Sequence, residues 1–377
     1  MNRLVKKLAS IRYLLLFAFV LRLLFVYFQY SGDIGNHLAW GRGALEGTLG
    51  FFHKSFPGFN QPNYPPITIL LFSLSAWFYQ FMQTLVISIN QAVLLFPSKI
   101  VPLMETLNMQ AAFIKLPAIL ADLGIGWLIY KLAPVKKKSS RLIASSLYLL
   151  NPAVIYISTV WGQIESIPIF FTLLSLYILK KNYYLSHVFF TLAILSKQTA
   201  LWLLPIFLIL WLKKHSLKSF LQGASLQVVV FILIYLPFTF SLLEPFKLYL
   251  QTLSGSSTLV SDAAWNLWHY LYPVSTLDSV LFLGLSVRLW SILLLLFSIS
   301  FIAIKFFKNR ITLFQSLFWL SLVAFFLQTR VHERHLFPAL VFYILAFKPS
   351  STKLVGFITL TLYHLFNLYW SLGLPFI

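Results

Sequence analysis

Residues 13–36 read YLLLFAFVLRLLFVYFQYSGDIGN, which is a long apolar run followed at once by a short polar segment. Four basic residues precede the run, namely Arg3, Lys6, Lys7 and Arg12. A bilayer span takes about 20 apolar residues, and basic residues gather on its cytoplasmic side. The run is long for the core of a signal peptide, and no A-x-A-like cleavage site follows it. We therefore expect an uncleaved first span, with the N-terminus in the cytoplasm and Asp33 at the outer surface.

The composition of the whole chain favours the same environment. Of the 377 residues, 59% are hydrophobic and 10% are charged, whereas a soluble domain carries about 25% charged residues. These values argue against a soluble globular enzyme and exclude an intrinsically disordered chain. Cysteine is absent, which excludes a disulfide framework and a thiolate metal site.

The basic residues recur in short clusters between apolar runs. Nineteen of the 29 lie in clusters without Asp or Glu: the first four, then Lys131, Lys136, Lys137, Lys138, Arg141, Lys180, Lys181, Lys213, Lys214, Lys218, Lys305, Lys308, Arg310, Lys348 and Lys353. The positive-inside rule places these clusters in the cytoplasm, where they meet anionic lipid. No nucleotide-binding signature appears, and the basic faces lack an aromatic-rich soluble module, so we expect no nucleic-acid partner.

All nine acids lie in connections on the other side or near that end of a span: Asp33, Glu46, Glu105, Asp122, Glu165, Glu244, Asp262, Asp278 and Glu333. The alternation predicts an all-α polytopic membrane protein, a single domain over 1–377 with its C-terminus outside. Its eleven expected spans are 13–30, 111–131, 142–160, 166–180, 184–197, 200–213, 219–238, 279–304, 311–328, 336–347 and 354–372. We expect the plasma membrane of a prokaryote rather than the endoplasmic reticulum.

Two large outer loops follow from this count, at 31–110 and at 239–278. The first contains apolar stretches at 66–88 and 91–104, although the parity of the spans requires both its ends to lie outside. Either two further spans are present there, or the stretches are juxtamembrane helices in the interface, which is the interpretation we favour.

The first outer loop supplies two candidate site residues. Asp33 is either a carboxylate base at the membrane surface or the N-cap of a helix over 34–46. Tyr64 precedes two prolines, which are expected to start the next helix.

Further candidates lie in or beside the apolar runs. Lys115 and Asp122 share one face of the second span, where they point to the interior or a wet cavity, or enter buried ion pairs with other residues. Glu165 is expected to share a site with Asp33, and Gln163 lies in the same short loop. Trp161 is either a platform for a sugar ring or an interfacial belt residue.

Three more groups lie on the outer side. Lys197, followed by Gln198, is a cation on the outer side, where the positive-inside rule disfavours one. It therefore either binds an anion or snorkels. Asn266 and Trp268 belong to an aromatic segment that suits carbohydrate contact or an interfacial helix. The densest cluster is 328–335, with Arg330, His332, Glu333, Arg334 and His335. Its formal charge is about +1 to +3, depending on histidine protonation, and arginine forks bind phosphate. The alternative is a purely structural role, in which the cluster bridges loops.

These landmarks, in this order, resemble the GT-C superfamily of polytopic glycosyltransferases, and especially the dolichyl-phosphate-glucose-dependent glucosyltransferases of the asparagine-linked oligosaccharide pathway and their prokaryotic relatives. Five fragments carry the resemblance. Tyr64-Pro65-Pro66-Ile67-Thr68 is similar to the family's Tyr-Pro-Pro-Leu-Thr, Ala121-Asp122-Leu123 to its Ala-Asp-Leu, and Lys197-Gln198 to its Lys-Gln. Ala264-Trp265-Asn266-Leu267-Trp268 is similar to its Ala-Asn-Ile-Trp with one residue inserted, and Val331-His332-Glu333-Arg334 to its Val-His-Glu-Lys.

The resemblance implies a GT-C-like fold, a polyprenyl- or dolichyl-phosphate-linked sugar as donor and an inverting reaction. It implies that Asp33 is the general base and that the 331–334 segment holds the donor phosphate. Trp161-Gly162-Gln163 replaces a His-rich family sequence and is similar to a Trp-Gly-Gln of GPI-type mannosyltransferases, so the hexose stays open between mannose and glucose.

The functional expectation is therefore a membrane hexosyltransferase whose acceptor is a glycan or glycolipid. No cofactor is expected, although a divalent metal at Asp33 and Glu165 is an open alternative. The rival hypotheses are a transporter or lipid flippase, which intramembrane charges also suit, and a non-catalytic scaffold.

Overall fold

The computed structural model describes residues 10–27, 31–253 and 257–373. Arg3, Lys6 and Lys7 of the expected N-terminal cluster lie outside this part of the chain. The described residues are mostly helical and include one two-stranded antiparallel hairpin.

The first half of the fold comprises these α-helices: α1 (Ile11–Phe25), α2 (Gly32–Glu46), α3 (Pro66–Ala92), α4 (Ile100–Glu105), α5 (Leu107–Leu132), α6 (Lys138–Leu149), α7 (Pro152–Ile155) and α8 (Ser166–Ile178). A 3₁₀ turn forms at Phe51–His53, and α7 continues into a π-helix at Tyr156–Trp161.

The second half comprises α9 (Tyr183–Ser196), α10 (Leu204–Lys214), α11 (Leu217–Tyr235), α12 (Glu244–Leu253), α13 (Leu267–Leu271), the strands β1 (Leu281–Phe282) and β2 (Leu285–Ser286), α14 (Val287–Phe307), α15 (Leu313–Leu327), α16 (Phe337–Ala346) and α17 (Ser351–Leu372). The 3₁₀ segments here are Gln198–Leu203, Leu236–Phe238 and Glu333–Leu336.

Local sequence explains where many helices begin. Nine of them start at a Ser, Thr or Asn whose side chain accepts a backbone N–H of the first turn: Ser31, Thr106, Asn151, Asn182, Ser216, Asn266, Ser286, Thr312 and Ser350. These residue types are the favoured N-caps. Pro66 opens α3, as expected from the proline pair, because a first-turn residue needs no N–H partner.

The helices agree with a membrane protein in a coarse sense. Among the described residues, four helices are long and apolar enough to cross a membrane, namely α3, α5, Leu217–Phe238 and α14. A fifth crossing results if α6 and the Pro152–Trp161 segment, bent by 47°, form one span. The remaining expected spans also coincide with helices, but these are shorter or more polar, so the eleven-span topology stays a prediction.

The first outer loop differs from its expected pattern. The stretch at 66–88 is part of one 27-residue helix, α3, whose length and composition would allow it to cross a membrane. The second stretch, at 91–104, supports only the six-residue α4. Six helical residues rise about 9 Å, so two spans cannot lie there as a pair. Helix α2 packs along α3, and α3 packs against α5.

The core positions the polar connections. The largest buried apolar cluster joins α5, α8, α9, α10, α15 and α16, and α8 packs against both α5 and α9. Several connections then meet at one end of these helices: the start of α2, the residue before α3, the turn before α8, the end of α9 and the turn before α16. Most of the candidate residues lie in or beside these connections, whereas Asp122 lies within α5 and Asn266 and Trp268 lie at α13.

Candidate functional site

Asp33 lies in the first turn of α2, with its side chain half-buried. The N-cap of this helix is Ser31, whose hydroxyl accepts the Ile34 N–H at 3.3 Å. The alternative that Asp33 is the cap is therefore wrong, and its carboxylate is available to other partners. A carboxylate in the first turn is favoured by the helix dipole.

Two side chains from the turn before α8 donate to the same oxygen of Asp33. Gln163 Nε2 lies 2.6 Å and Trp161 Nε1 lies 3.2 Å from Asp33 Oδ2. Burial acts to raise the pKa of Asp33, but Arg334, His37 and these two hydrogen bonds act against it, and the net direction is downward. The carboxylate is thus held ionised, because each of these partners favours the charged form.

Trp161 joins Asp33 to the cationic part of the site. Its ring is 5% exposed, which contradicts an interfacial belt position, and the Arg334 guanidinium carbon lies 5.8 Å from the ring centroid. Burial alone would lower the pKa of Arg334, but Glu333 and its other acidic neighbours raise it. The guanidinium therefore stays charged beside the indole that donates to Asp33.

Glu165 holds the two cations of the site together. Its Oε1 accepts a hydrogen bond from Lys197 and lies 3.5 Å from Arg334 Nε. Arg334 also donates from Nη1 to Glu333 Oε1 at 3.1 Å. Lys197 is 3% exposed, so it does not snorkel to the surface. Glu165 and Asp33, expected to share a site, are connected here through Arg334 and Trp161.

Tyr64 closes the site from the first outer loop. Its phenol is buried and hydrogen-bonded to Arg334, and the Lys197 ammonium lies 5.4 Å from its ring centroid. His37 packs 5.6 Å away, stacked on Phe72. Burial lowers the pKa of His37 to about 3, so it is a neutral imidazole one helical turn from Asp33. Sequence analysis missed His37, although its i, i+4 spacing from Asp33 was readable.

A cavity of about 300 Å³ opens beside these residues. Six of the predicted site residues line it: Tyr64, Lys197, Gln198, Arg330, His332 and Arg334. Gln198 Oε1 and Gln328 Oε1 are buried acceptors without a hydrogen-bond partner among the described residues, and Trp202 adds an aromatic wall. The cavity thus offers cations, amide oxygens and flat rings, a set that suits a sugar attached to an anion.

The 328–335 segment divides between two roles. Arg330 adopts φ 64° and donates to Asp278 with Nε at 2.6 Å and Nη2 at 3.2 Å. His332 lies 3.5 Å from Asp262, and the Asp262 N–H donates to the Val331 carbonyl. This half of the segment bridges to the 239–278 loop, as the structural alternative for the cluster predicted. Arg334 and Glu333 belong instead to the site around Asp33.

Asn266 and Trp268 lie where they support the fold. Asn266 caps α13 and donates to the Gln328 carbonyl at 3.0 Å, and Trp268 Nε1 donates to the Leu327 carbonyl at 2.8 Å. Both are buried and neither lines the cavity. Their expected direct contact with substrate stays a prediction, and in the structure both side chains hydrogen-bond to the end of α15. They fix the end of α15, from which the 328–335 segment starts. Gln198 donates to the carbonyls of Asn63 and Thr252 and so ties both outer loops to the cavity.

Asp122 is enclosed in a polar network away from the cavity. It pairs with Arg22 at 3.2 Å and accepts hydrogen bonds from Tyr148 at 2.7 Å and Ser158 at 2.6 Å. Both charged partners are fully buried. The buried ion pair is thus the correct alternative, and a substrate contact for Asp122 is wrong. Sequence analysis missed Arg22, although a lone charge within the first apolar run was the available signal.

The site is not strongly cationic, because its carboxylates outnumber its cations. Burial lowers the pKa of His332 and of His335 well below the usual range, so both are neutral. The 330–335 cluster then carries the lower end of its expected charge, about +1. Lys197 and Arg334 line the cavity, and the carboxylates Asp33, Glu165 and Glu333 lie near Arg334 without lining it. Arg334 Nε makes no hydrogen bond to the described residues, but it lies 3.5 Å from Glu165 Oε1.

Within the described ranges, no three His, Asp or Glu side chains come close enough together to hold a metal ion. Asp33 and Glu165 are engaged by the hydrogen bonds and ion pairs given above. No protein-family model matches the chain, and no curated protein matches its sequence.

Proposed function

We propose that the protein transfers a hexose, mannose or glucose, from a polyprenyl-phosphate donor to a hydroxyl of a glycan or lipid-linked acceptor at the outer membrane face, with inversion. One observation carries the proposal. Trp161 hydrogen-bonds Asp33 with its indole nitrogen while its ring lies beside Arg334, so a carboxylate and a cationic cavity belong to one site.

The chemistry requires a base and a stabilised leaving group. Asp33 accepts the proton of the acceptor hydroxyl as its oxygen forms a bond to the anomeric carbon of the donor. The bond from that carbon to the phosphate oxygen breaks, and its electron pair leaves with the polyprenyl phosphate. One displacement at the anomeric carbon inverts its configuration. An ionised Asp33 is the form that this step needs.

The charge balance of the site favours a donor with a single negative charge. A polyprenyl-phosphate hexose is a phosphodiester monoanion, which adds little to the carboxylates already present, whereas a nucleotide diphosphate sugar brings at least two charges. Arg334 and Lys197, both held in place by Glu165, stabilise the developing phosphate charge, where fixed donors act most strongly. Gln198 and Gln328 accept from sugar hydroxyls.

In the proposed topology the eleven helical segments cross the bilayer and the site faces outward. The cavity then lies at the outer surface, where a lipid-linked donor presents its phosphate. The rival transport hypothesis drew on Asp122, which lies in a closed network with Arg22.

Liposomes containing the purified protein test the proposal with a panel of polyprenyl-phosphate hexoses and mass analysis of the acceptor pool. We expect a hexose to be added from one such donor, with the inverted anomeric configuration by NMR, and none from a nucleotide diphosphate hexose. Movement of the lipid without a new glycosidic bond would establish transport instead. Transfer that stops in EDTA would establish the metal alternative.

A further inference from the structure

The turn that holds Asp33 has an unusual local structure. The π-helix Tyr156–Trp161 ends at Gly162, whose φ is 84°, and the N–H groups of Gly162 and Gln163 both donate to the Ile157 carbonyl, at 3.1 and 2.8 Å. Trp161 and Gln163 therefore point their side chains to the same carboxylate oxygen from either side of Gly162. The position of this turn decides whether Asp33 keeps both donors.

Lys115 holds the Trp161–Gln163 turn in place through hydrogen bonds. This side chain of α5 is fully buried, and its ammonium donates at 3.0 Å to the carbonyl of Val160 and at 3.0 Å to that of Val26. Val160 directly precedes Trp161, and Val26 lies at the end of α1. A buried ammonium is costly in an apolar environment, and here its hydrogen bonds connect α5, the end of α1 and the turn.

Gly162 lies in direct contact with Lys115 and with the residue after Asp33. A Cβ on Gly162 would lie 2.3 Å from Ile34 Cδ1 and 2.9 Å from Lys115 Cγ. Both approaches are closer than carbon atoms tolerate, and L-residues avoid the left-handed backbone. The turn is thus held between the first turn of α2 and the Lys115 side chain with no room for a methyl group.

We propose that Lys115 is a positioning residue of the site: its ammonium anchors the Trp161–Gln163 turn and so keeps two hydrogen-bond donors on Asp33. The consequence for catalysis rests on the proposed function, but the positioning itself does not. Lys115 is not among the described residues that line the cavity, and it contacts the turn at Val160 and Gly162, so its effect on Asp33 passes through the turn.

A labelling experiment measures this effect without any sugar transfer. Carbodiimides modify protonated carboxyl groups, so the labelling of Asp33 against pH, followed by peptide mass spectrometry, reports its titration. We expect Lys115→Met to move the midpoint upward by about half a pH unit or more, because weakened hydrogen bonds favour the protonated form. Lys131→Met, the same change at an exposed position of the same helix, should leave the midpoint unchanged.

A second variant guards against a folding failure and separates position from charge. Gly162→Ala displaces the turn without changing any charge, and we expect the same upward shift. The matched control is Gly58→Ala, at φ 80° but with no atom within 4 Å of the added methyl group. In the double variant Lys115→Met with Gln163→Ala, the shift should be smaller than the sum of the single shifts.

An Asp33 midpoint that stays at the wild-type value in both folded Lys115→Met and Gly162→Ala would overturn the proposal, as would strict additivity with Gln163→Ala. A shifted midpoint in a protein that transfers no hexose would instead sustain the positioning role and remove the proposed function. The two failures are therefore distinguishable.

Discussion

The indole nitrogen of Trp161 donates a hydrogen bond of 3.2 Å to Asp33, a residue 128 positions earlier in the chain. The ring of the same tryptophan lies 5.8 Å from the Arg334 guanidinium carbon. One side chain therefore connects the proposed base to the proposed phosphate-binding cation. A change at Trp161 is expected to affect both Asp33 and Arg334. Variants that alter only one of the two contacts separate these effects.

Trp161→Phe keeps a flat ring beside Arg334 and removes the donor to Asp33. The pKa of Asp33 is lowered in the folded protein, so the base form is lost as pH falls through that value. Without one hydrogen bond, worth about 1 kcal/mol, the acid side of the profile of kcat/KM should move to higher pH by less than about one unit. Trp370→Phe, an exposed tryptophan, is the control. If the acid limb of the kcat/KM profile stays at the wild-type pH, the Trp161 hydrogen bond has no influence on the pKa of Asp33.

The rate of transfer is expected to change by less than about twofold between pH 7 and pH 5. Asp33 remains ionised over this window because its pKa lies below the ordinary value, and His37, with a pKa of about 3, remains neutral. The pKa values of His332 and His335 are also lowered by burial, so neither histidine gains a charge over this window. Initial rates in liposomes at constant ionic strength measure this. A drop with a midpoint near pH 6 would mean that a histidine or another base controls the reaction.

Arg334→Lys should lower kcat/KM for the donor by roughly tenfold or more. Arg334 contacts Glu165 through Nε and Glu333 through Nη1 at once, and the single ammonium of lysine cannot reproduce this fork. Arg288→Lys, at an exposed arginine on the same side of the proposed topology, should have no effect. Equal donor kinetics in both variants would argue against a phosphate contact at Arg334.

Arg22→Met should destabilise the fold by roughly 3–5 kcal/mol, because Asp122 would stay buried as an unpaired charge. Arg22→Met combined with Asp122→Asn should recover part of that loss. Thermal unfolding in detergent measures both, with Arg12→Met at an exposed position of α1 as the control. A single variant as stable as the wild type would show that the buried pair contributes nothing.

The sequence predicted the helical character, the position of most helices and the residues that converge on the site. These features follow from local signals, such as apolar runs, capping residues and the alternation of charge. Asp33, Glu165, Lys197 and Arg334 meet in the structure as the shared-site hypothesis required. The function proposed for these four residues stays a prediction.

The errors concern contacts between residues far apart in the chain. Nothing near Asp122 indicates that Arg22, 100 positions away, neutralises it, and Arg330 finds Asp278 across 52 positions. The stretch at 66–88 forms one long helix, because polar residues such as Gln80, Gln83 and Asn90 do not interrupt helical hydrogen bonding, and its position in the interface stays a prediction. Periodicity and composition carry no information on which partner a buried charge selects.

Asp33→Asn tests the central claim most directly, because asparagine keeps the shape of the side chain and an acceptor for Trp161 and Gln163. With the donor identified in the liposome panel, we predict that hexose transfer falls by at least about a hundredfold, while thermal stability and donor binding stay near wild type. Glu46→Gln, at the exposed end of the same helix, should transfer normally. Full transfer by Asp33→Asn would contradict the account, since no base would then be needed at the start of α2.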